Sequence, residues 1–178
     1  MSDQVWVVGE VLIDLILNES KHVAVVGGGP ANTAKALAKL GVKAYFIDGI
    51  SNDKYGQMAK AELLADNVLL DYAQFSNKPT STAKVKLSAS RSASYEFVIE
   101  DTATFDFSDQ WLPDPQTLNP LLLHIGTLAT IIEPGASVLF EWAQSVANFA
   151  PIVFDPNIRP AVLGNRDCLL YTSDAADE

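Results

Sequence analysis

The stretch Val25-Val26-Gly27-Gly28-Gly29-Pro30-Ala31-Asn32-Thr33-Ala34 decides how the rest of the chain is read. Three glycines leave a short apolar run and lead directly into a helix-like pattern. Glycine carries no Cβ, so it adopts positive φ and lets a ligand approach the backbone. Pro30 suits a first helical turn, where a missing N–H costs nothing. Ala34, Leu37, Ala38 and Leu40 then form an apolar stripe, Lys35 and Lys39 stand at i,i+4, and Gly41 supplies the stop. A glycine turn opening onto a helix N-terminus collects free N–H groups around a polar ligand. Taken alone, the stretch fits a tight connection equally well. Asn32 stands where a dinucleotide fingerprint needs a third small residue, and no Gly-Lys-Ser/Thr follows, so neither a Rossmann fingerprint nor a Walker A loop is present.

Working outward, Val5-Trp6-Val7-Val8 reads as a buried strand closed by Gly9, with Glu10 and Asp14 placed beyond its C-terminal end. Ligands of open α/β sheets bind outside such ends, which makes Asp14 a candidate. Val23-Ala24-Val25-Val26 is expected to run extended outside the main sheet. Ala44-Tyr45-Phe46-Ile47 reads as a second strand ended by Asp48-Gly49. Asp53 is placed to cap a helix running to about Ala65, with Met58, Ala61, Leu64 and Ala65 facing inward. Asn67 fits the C′ position, and Val68-Leu69-Leu70 begins a third strand. This alternation of strands and helices implies an α/β fold with a parallel, Rossmann-like sheet.

Between residues 80 and 100 the apolar period changes to two. Thr80–Leu87 and Ser94–Ile99 alternate around a small polar connection, predicting an antiparallel hairpin with one wet face and Arg91 at its tip. Leu121–Ile125 returns as an apolar strand in which His124 is expected to be a satisfied core histidine. A helix after Glu133-Pro134 should pack through Val138, Trp142, Val146 and Phe149. Ile152-Val153-Phe154 is expected to be buried, and it leads into Asp155-Pro156-Asn157-Ile158-Arg159. Arg159 is a cation suited to anionic oxygens.

Composition limits the functions. A 178-residue chain with 48% hydrophobic and 19% charged residues is globular. Twelve basic against 22 acidic residues give a net charge of −10, which argues against nucleic-acid or anionic-membrane partners. The single Cys168 forms no internal disulfide, and Met1-Ser2-Asp3-Gln4 has no basic leader region, so a cytoplasmic location is expected.

Val5–Glu10 with Asp14, Gly27-Gly28-Gly29-Pro30-Ala31-Asn32 with Leu40-Gly41, Asp53 with Gly56, Pro79-Thr80-Ser81-Thr82, and Asp155–Arg159 together resemble the ribokinase/PfkB family of carbohydrate kinases, on its bacterial fructokinase branch. The resemblance implies a ribokinase-like sheet with helices on both faces and a small β-hairpin lid built from about residues 11–26 and 80–100. It implies that Asp14, the Gly27 and Gly28 backbone and Asn32 bind sugar hydroxyls, with Asn157 and Arg159 toward the phosphate-transfer side. It further implies ATP and Mg²⁺ as cofactors, a small-molecule sugar as substrate, and homodimers formed through the lid. The likeness runs from about residue 4 to about 162. Residues 1–166 are therefore expected to be the N-terminal part of a sugar-kinase domain, and 167–178 a tail foreign to it. The family's Gly-Ala-Gly-Asp motif, which supplies the catalytic aspartate, does not occur in these residues. Glu100 and Thr104 stand where the branch has an arginine and the aspartate of an Ala-Asp pair, which leaves other polyols, such as 2-keto-3-deoxygluconate or a nucleoside, as alternative substrates. A non-catalytic sugar-binding or association module is the alternative from another class.

Overall fold

The computed structural model describes residues 3–18, 21–87 and 93–157. In chain order the elements are β1 (Gln4–Val8), β2 (Leu12–Asn18), β3 (Lys21–Gly27), α1 (Gly29–Lys39), β4 (Lys43–Ile47), β5 (Gly49–Ser51) and α2 (Lys54–Ala65). They continue as β6 (Gln74–Ser76), β7 (Thr82–Leu87), β8 (Ala93–Val98), α3 (Pro115–Leu118), β9 (Leu122–Gly126), α4 (Gly135–Ala147) and β10 (Ile152–Asp155), with single 3₁₀ turns at Ala103–Phe105 and Thr127–Thr130.

The main sheet has the order β10-β9-β1-β4, and every pairing in it is parallel. Its two faces separate by strand alternation. Val5, Val7, Ala44 and Phe46 point to one side, where Ala31, Ala34 and Ala38 of α1 and Ala59 and Leu63 of α2 cover them. Trp6, Val8, Leu123 and Ile125 point to the other, against Leu139 and Val146 of α4. The result is an α/β fold with helices on both faces. Trp6 anchors the second layer: its fully buried ring stacks on Trp142 at 5.7 Å and 12°, and meets Tyr72 edge-on at 5.7 Å.

A second sheet, β3-β2-β7-β8, stands apart from the first. β2 and β3 pair antiparallel, β2 and β7 parallel, and β7 and β8 antiparallel. Both period-2 segments therefore lie off the main sheet. Ile13, Val26, Leu15 and Ala24 turn one face toward the α1/α2 core, while Leu12, Ala83 and Phe97 turn the other toward the Trp6 core.

Several expectations are corrected. The residues buried by α2 are Gly56, Ala59 and Leu63, while Ala61, Leu64 and Ala65 face solvent. The helix is rotated because Gly56 lies against the Ser51 carbonyl so closely that a Cβ would strike it. In α1, Leu40 is 81% exposed, and Val42 beyond the Gly41 turn packs into the core instead. Phe149 lies past the end of α4 and is exposed, while Leu139 is buried beside the expected Val146. Val68-Leu69-Leu70 makes only one bridge, Tyr45 to Leu69, before a turn closed by Ala73 N–H on the Leu70 carbonyl bends the chain away. Asp48-Gly49 does not end strand pairing: β5 resumes and pairs parallel with β6. β10 is half-exposed rather than buried, with Val153 open to solvent at the end of the described strand order. Asp53 caps α2 as expected, accepting from Gly56 N–H at 2.8 Å, and Asn67 adopts φ 63° after it. Arg91, Arg159 and the boundary at 166/167 lie outside the described residues.

Trp6→Ala should lower unfolding free energy by about 3–5 kcal/mol in urea titrations. Leu40→Ala, at an exposed site, should change it by no more than about 0.5 kcal/mol.

Candidate functional site

A cavity of about 310 Å³ opens between the C-terminal ends of β1 and β9 and the second sheet. The main-sheet side supplies Glu10, Gly28, Gly29, Asn32, Thr127, Leu128 and Asn157, and the second sheet supplies Leu12, Asp14 and Phe97. Of the residues singled out in the sequence, Asp14, Gly28, Asn32 and Asn157 meet here. Gly27 lies immediately behind Asp14, whose carboxylate fills the space a Gly27 Cβ would take. Arg159 is outside the described residues. Glu100 is exposed, and Thr104 is buried with its hydroxyl donated to the Val11 carbonyl at 3.0 Å, so neither lines the cavity.

The local chain path explains why these groups converge. Gly28 has φ 110° and lies on the Glu10 carbonyl, so an added Cβ there would collide with backbone. The turn after β1 and the turn before α1 therefore touch, and α1 starts at the cavity wall. No side chain caps that helix start. Asn32 N–H donates to the Gly28 carbonyl at 3.0 Å, leaving its carboxamide to the cavity side. Asp14 is partly buried, and desolvation raises its pKa above the usual carboxylate range.

Three features were missed in the sequence. Glu10 is 3% exposed and accepts a hydrogen bond from the Thr127 hydroxyl. Thr127 holds φ 63°, a conformation uncommon for a β-branched residue and characteristic of functional turns. Asp48 is fully buried: its Oδ2 accepts from Val11 N–H at 2.9 Å and its Oδ1 from Gly49 N–H at 2.8 Å. Glu10 and Asp48 had a sequence signal, their place after a strand; Thr127 had none. His124 differs from expectation in another way. Its buried Nδ1 has no hydrogen-bond partner among the described residues, and desolvation lowers its pKa.

The lining is rich in acceptors. It holds two carboxylates, two carboxamides and a hydroxyl, with no Lys or Arg among its described residues. That chemistry suits the hydroxyl donors of a polyol. No group of three or more His, Cys, Asp or Glu placed to hold a metal ion occurs among the described residues.

The pattern of the pfkB family carbohydrate kinases matches residues 2–177. The chain belongs to that family. It is 30% identical to the fructokinase of Salmonella typhimurium over 179 residues, covering 99% of this chain and 58% of that protein. Among solved structures, a fructokinase of Xylella fastidiosa matches with 25% identity and a TM-score of 0.88, covering 99% of this chain and 58% of that one. A double-mutant fructokinase of Vibrio cholerae with fructose, ADP and potassium ion bound matches with 25% identity and a TM-score of 0.83, covering 99% and 59%. The chain thus spans a little over half the length of these relatives. Among the described residues no helix is long and apolar enough to cross a membrane.

Asp48 gives a test of the site's foundation. Burial raises its pKa well above 3.8, with the nearby Glu10 charge adding to the rise. The folded state then binds a proton the unfolded state has lost, so its stabilising contribution is full below about pH 3.8 and declines as pH rises through the folded pKa. Asp48→Asn turns an NH₂ donor toward a backbone N–H, so it should destabilise the chain. The difference from wild type, measured by denaturant titration between pH 4 and 8, should be largest at the acid end and shrink as pH rises.

Proposed function

We propose that this chain forms the sugar-binding part of an ATP-dependent, fructokinase-like sugar kinase of the cytoplasm. The whole enzyme would transfer the γ-phosphate of ATP, with Mg²⁺, to a hydroxyl of a small-molecule sugar. The observation that carries the reading is the acceptor-lined cavity, with Asp14 and Asn32 brought to it from different elements and Phe97 of the second sheet set over it. Asp14 and Asn32 would hydrogen-bond sugar hydroxyls, Gly27 and Gly28 would let the sugar reach the backbone, and Asn157 with Arg159 would stand toward the phosphate. The second sheet would act as a lid, excluding water from phosphoryl transfer. Of the alternative polyols, a nucleoside is compatible with this lining, whereas 2-keto-3-deoxygluconate brings its own carboxylate to two others.

The described residues do not account for phosphoryl transfer. The catalytic aspartate and anion hole of the resemblance are absent, and no cation lines the cavity among the described residues. The 178-residue chain should release no ADP above a protein-free control when given ATP, Mg²⁺ and fructose. Asp14→Asn and Asn32→Ala should each weaken fructose binding about tenfold or more by calorimetry while the circular dichroism spectrum is unchanged. Unaltered affinity in both variants would remove the sugar-site assignment.

The lid also offers a homodimer surface. Val23 and Val25 are exposed on β3, on the face shared with Asp14 through the Asp14–Val25 and Ile16–Val23 pairs. A second copy covering this face would bury them. Sedimentation velocity should show a dimer that Val23→Asp plus Val25→Asp converts to monomer; a wild-type monomer at high concentration would exclude this association.

A further inference from the structure

We propose that Asp48 and Thr104 are positioning residues of the cavity, setting where Asp14 stands against a bound sugar by holding the N–H and the carbonyl of Val11. The proposal rests on the sugar-site reading above and extends it to two residues that do not line the cavity.

Val11 lies between the end of β1 and the start of β2, where the chain passes from the main sheet to the second one. It is 2% exposed, and a buried backbone N–H or carbonyl needs a hydrogen-bond partner. At Val11 both partners are side chains rather than a neighbouring strand. Asp48 Oδ2 accepts from the Val11 N–H at 2.9 Å, and Thr104 Oγ1 donates to the Val11 carbonyl at 3.0 Å. Each side chain is buried and held in turn. The other Asp48 oxygen accepts from Gly49 N–H at 2.8 Å, at the start of β5. Thr104 belongs to the 3₁₀ turn Ala103–Phe105, whose Ala103 N–H donates to the Pro79 carbonyl at 3.0 Å. The Ala103 carbonyl lies so close to Gly49 that a Cβ there would strike it, so the two halves of the clamp are packed on each other. On the opposite side of the turn, Gly9 packs on the Pro30 ring and Gly28 on the Glu10 carbonyl.

From Val11 the strand runs three residues to Asp14, about 10 Å at about 3.3 Å per residue. Ile13 N–H donates to the Ser81 carbonyl at 3.0 Å, and Asp14 pairs with Val25 on one side and Ala83 on the other. Those ladder contacts fix Asp14 within the second sheet. The Val11 clamp ties the root of that sheet to the main-sheet side, where Asn32 lines the same cavity. A ligand held between Asp14 and Asn32 depends on the distance between them. Partners already fixed at the right separation bind more tightly than partners that must be ordered on binding. A clamp that only satisfied buried backbone groups would support stability and leave the affinity of the folded chain unchanged. A positioning clamp changes that affinity.

The experiment measures fructose binding to the 178-residue chain by calorimetry for wild type, Thr104→Val, Thr104→Ser and Asp48→Asn, under conditions where circular dichroism shows each to be folded. The series is repeated with Asp14→Asn added. Thr104→Val removes the donor with little change of shape and should weaken fructose about fivefold or more, while Thr104→Ser should stay within about twofold of wild type. Asp48→Asn should weaken it as well. With Asp14→Asn present the loss caused by Thr104→Val should shrink, because the group through which it acts is already altered. If Thr104→Val does not fold, Asp48→Asn carries the same cycle. Unchanged affinity in both Thr104→Val and Asp48→Asn would overturn the proposal, as would Thr104→Ser losing as much as Thr104→Val, or a loss that is the same with and without Asp14→Asn. Wild type failing to bind fructose would instead defeat the sugar-site reading on which the proposal stands.

Discussion

The Asp48 carboxylate is the joint on which the molecule turns. It sits where β4 ends, fully buried, and it fastens the first residues after β1 to the start of β5. At that point the chain leaves the parallel main sheet and enters the second one. Without the two N–H bonds the turn at Gly9-Glu10-Val11 would have no fixed place, and β2 would not be aimed across the cavity. Burying an acid to achieve this is expensive, and the raised pKa of Asp48 records that cost. Two backbone hydrogen bonds and close glycine contacts offset it.

From this joint follows the division of labour between the sheets. The main sheet, covered on both faces, is a rigid floor that presents Glu10, Thr127 and the start of α1. The second sheet has only one fully covered face and reaches the cavity through Leu12, Asp14 and Phe97. A polar ligand between them would touch groups from elements far apart in sequence, which is why binding and closure of the second sheet are expected to be linked. Membership of the pfkB carbohydrate kinases agrees with this arrangement, and the chain spans a little over half the length of its relatives.

Much of this was legible in the sequence, and the reasons are physical. The parallel strands at Val5–Val8, Ala44–Ile47 and Leu121–Ile125 are short apolar runs with no competing period, and the hairpin declares itself by alternation. The diglycine turn marked the cavity because only glycine fits against the Glu10 carbonyl. The rotation of α2 was read wrongly, and the apolar stripes of α1 and α4 were carried past their ends to Leu40 and Phe149. At α2, close backbone packing of Gly56 on Ser51 outweighs the apolar stripe, and such a contact leaves no periodic signal. The structural bonds of Asp48, Thr104 and Thr127 were not legible in the sequence. Each acts on a residue 37 to 117 positions away, through a bond that only the tertiary fold creates.

The most direct test is a map of where a sugar touches this chain. Amide chemical-shift changes on titrating fructose into ¹⁵N-labelled protein should cluster at Glu10–Asp14, Gly27–Asn32, Phe97 and Thr127–Leu128, joining the two sheets around one cavity. Changes confined to the exposed face of β3 or to the far ends of the helices, or no changes at saturating sugar, would contradict the account.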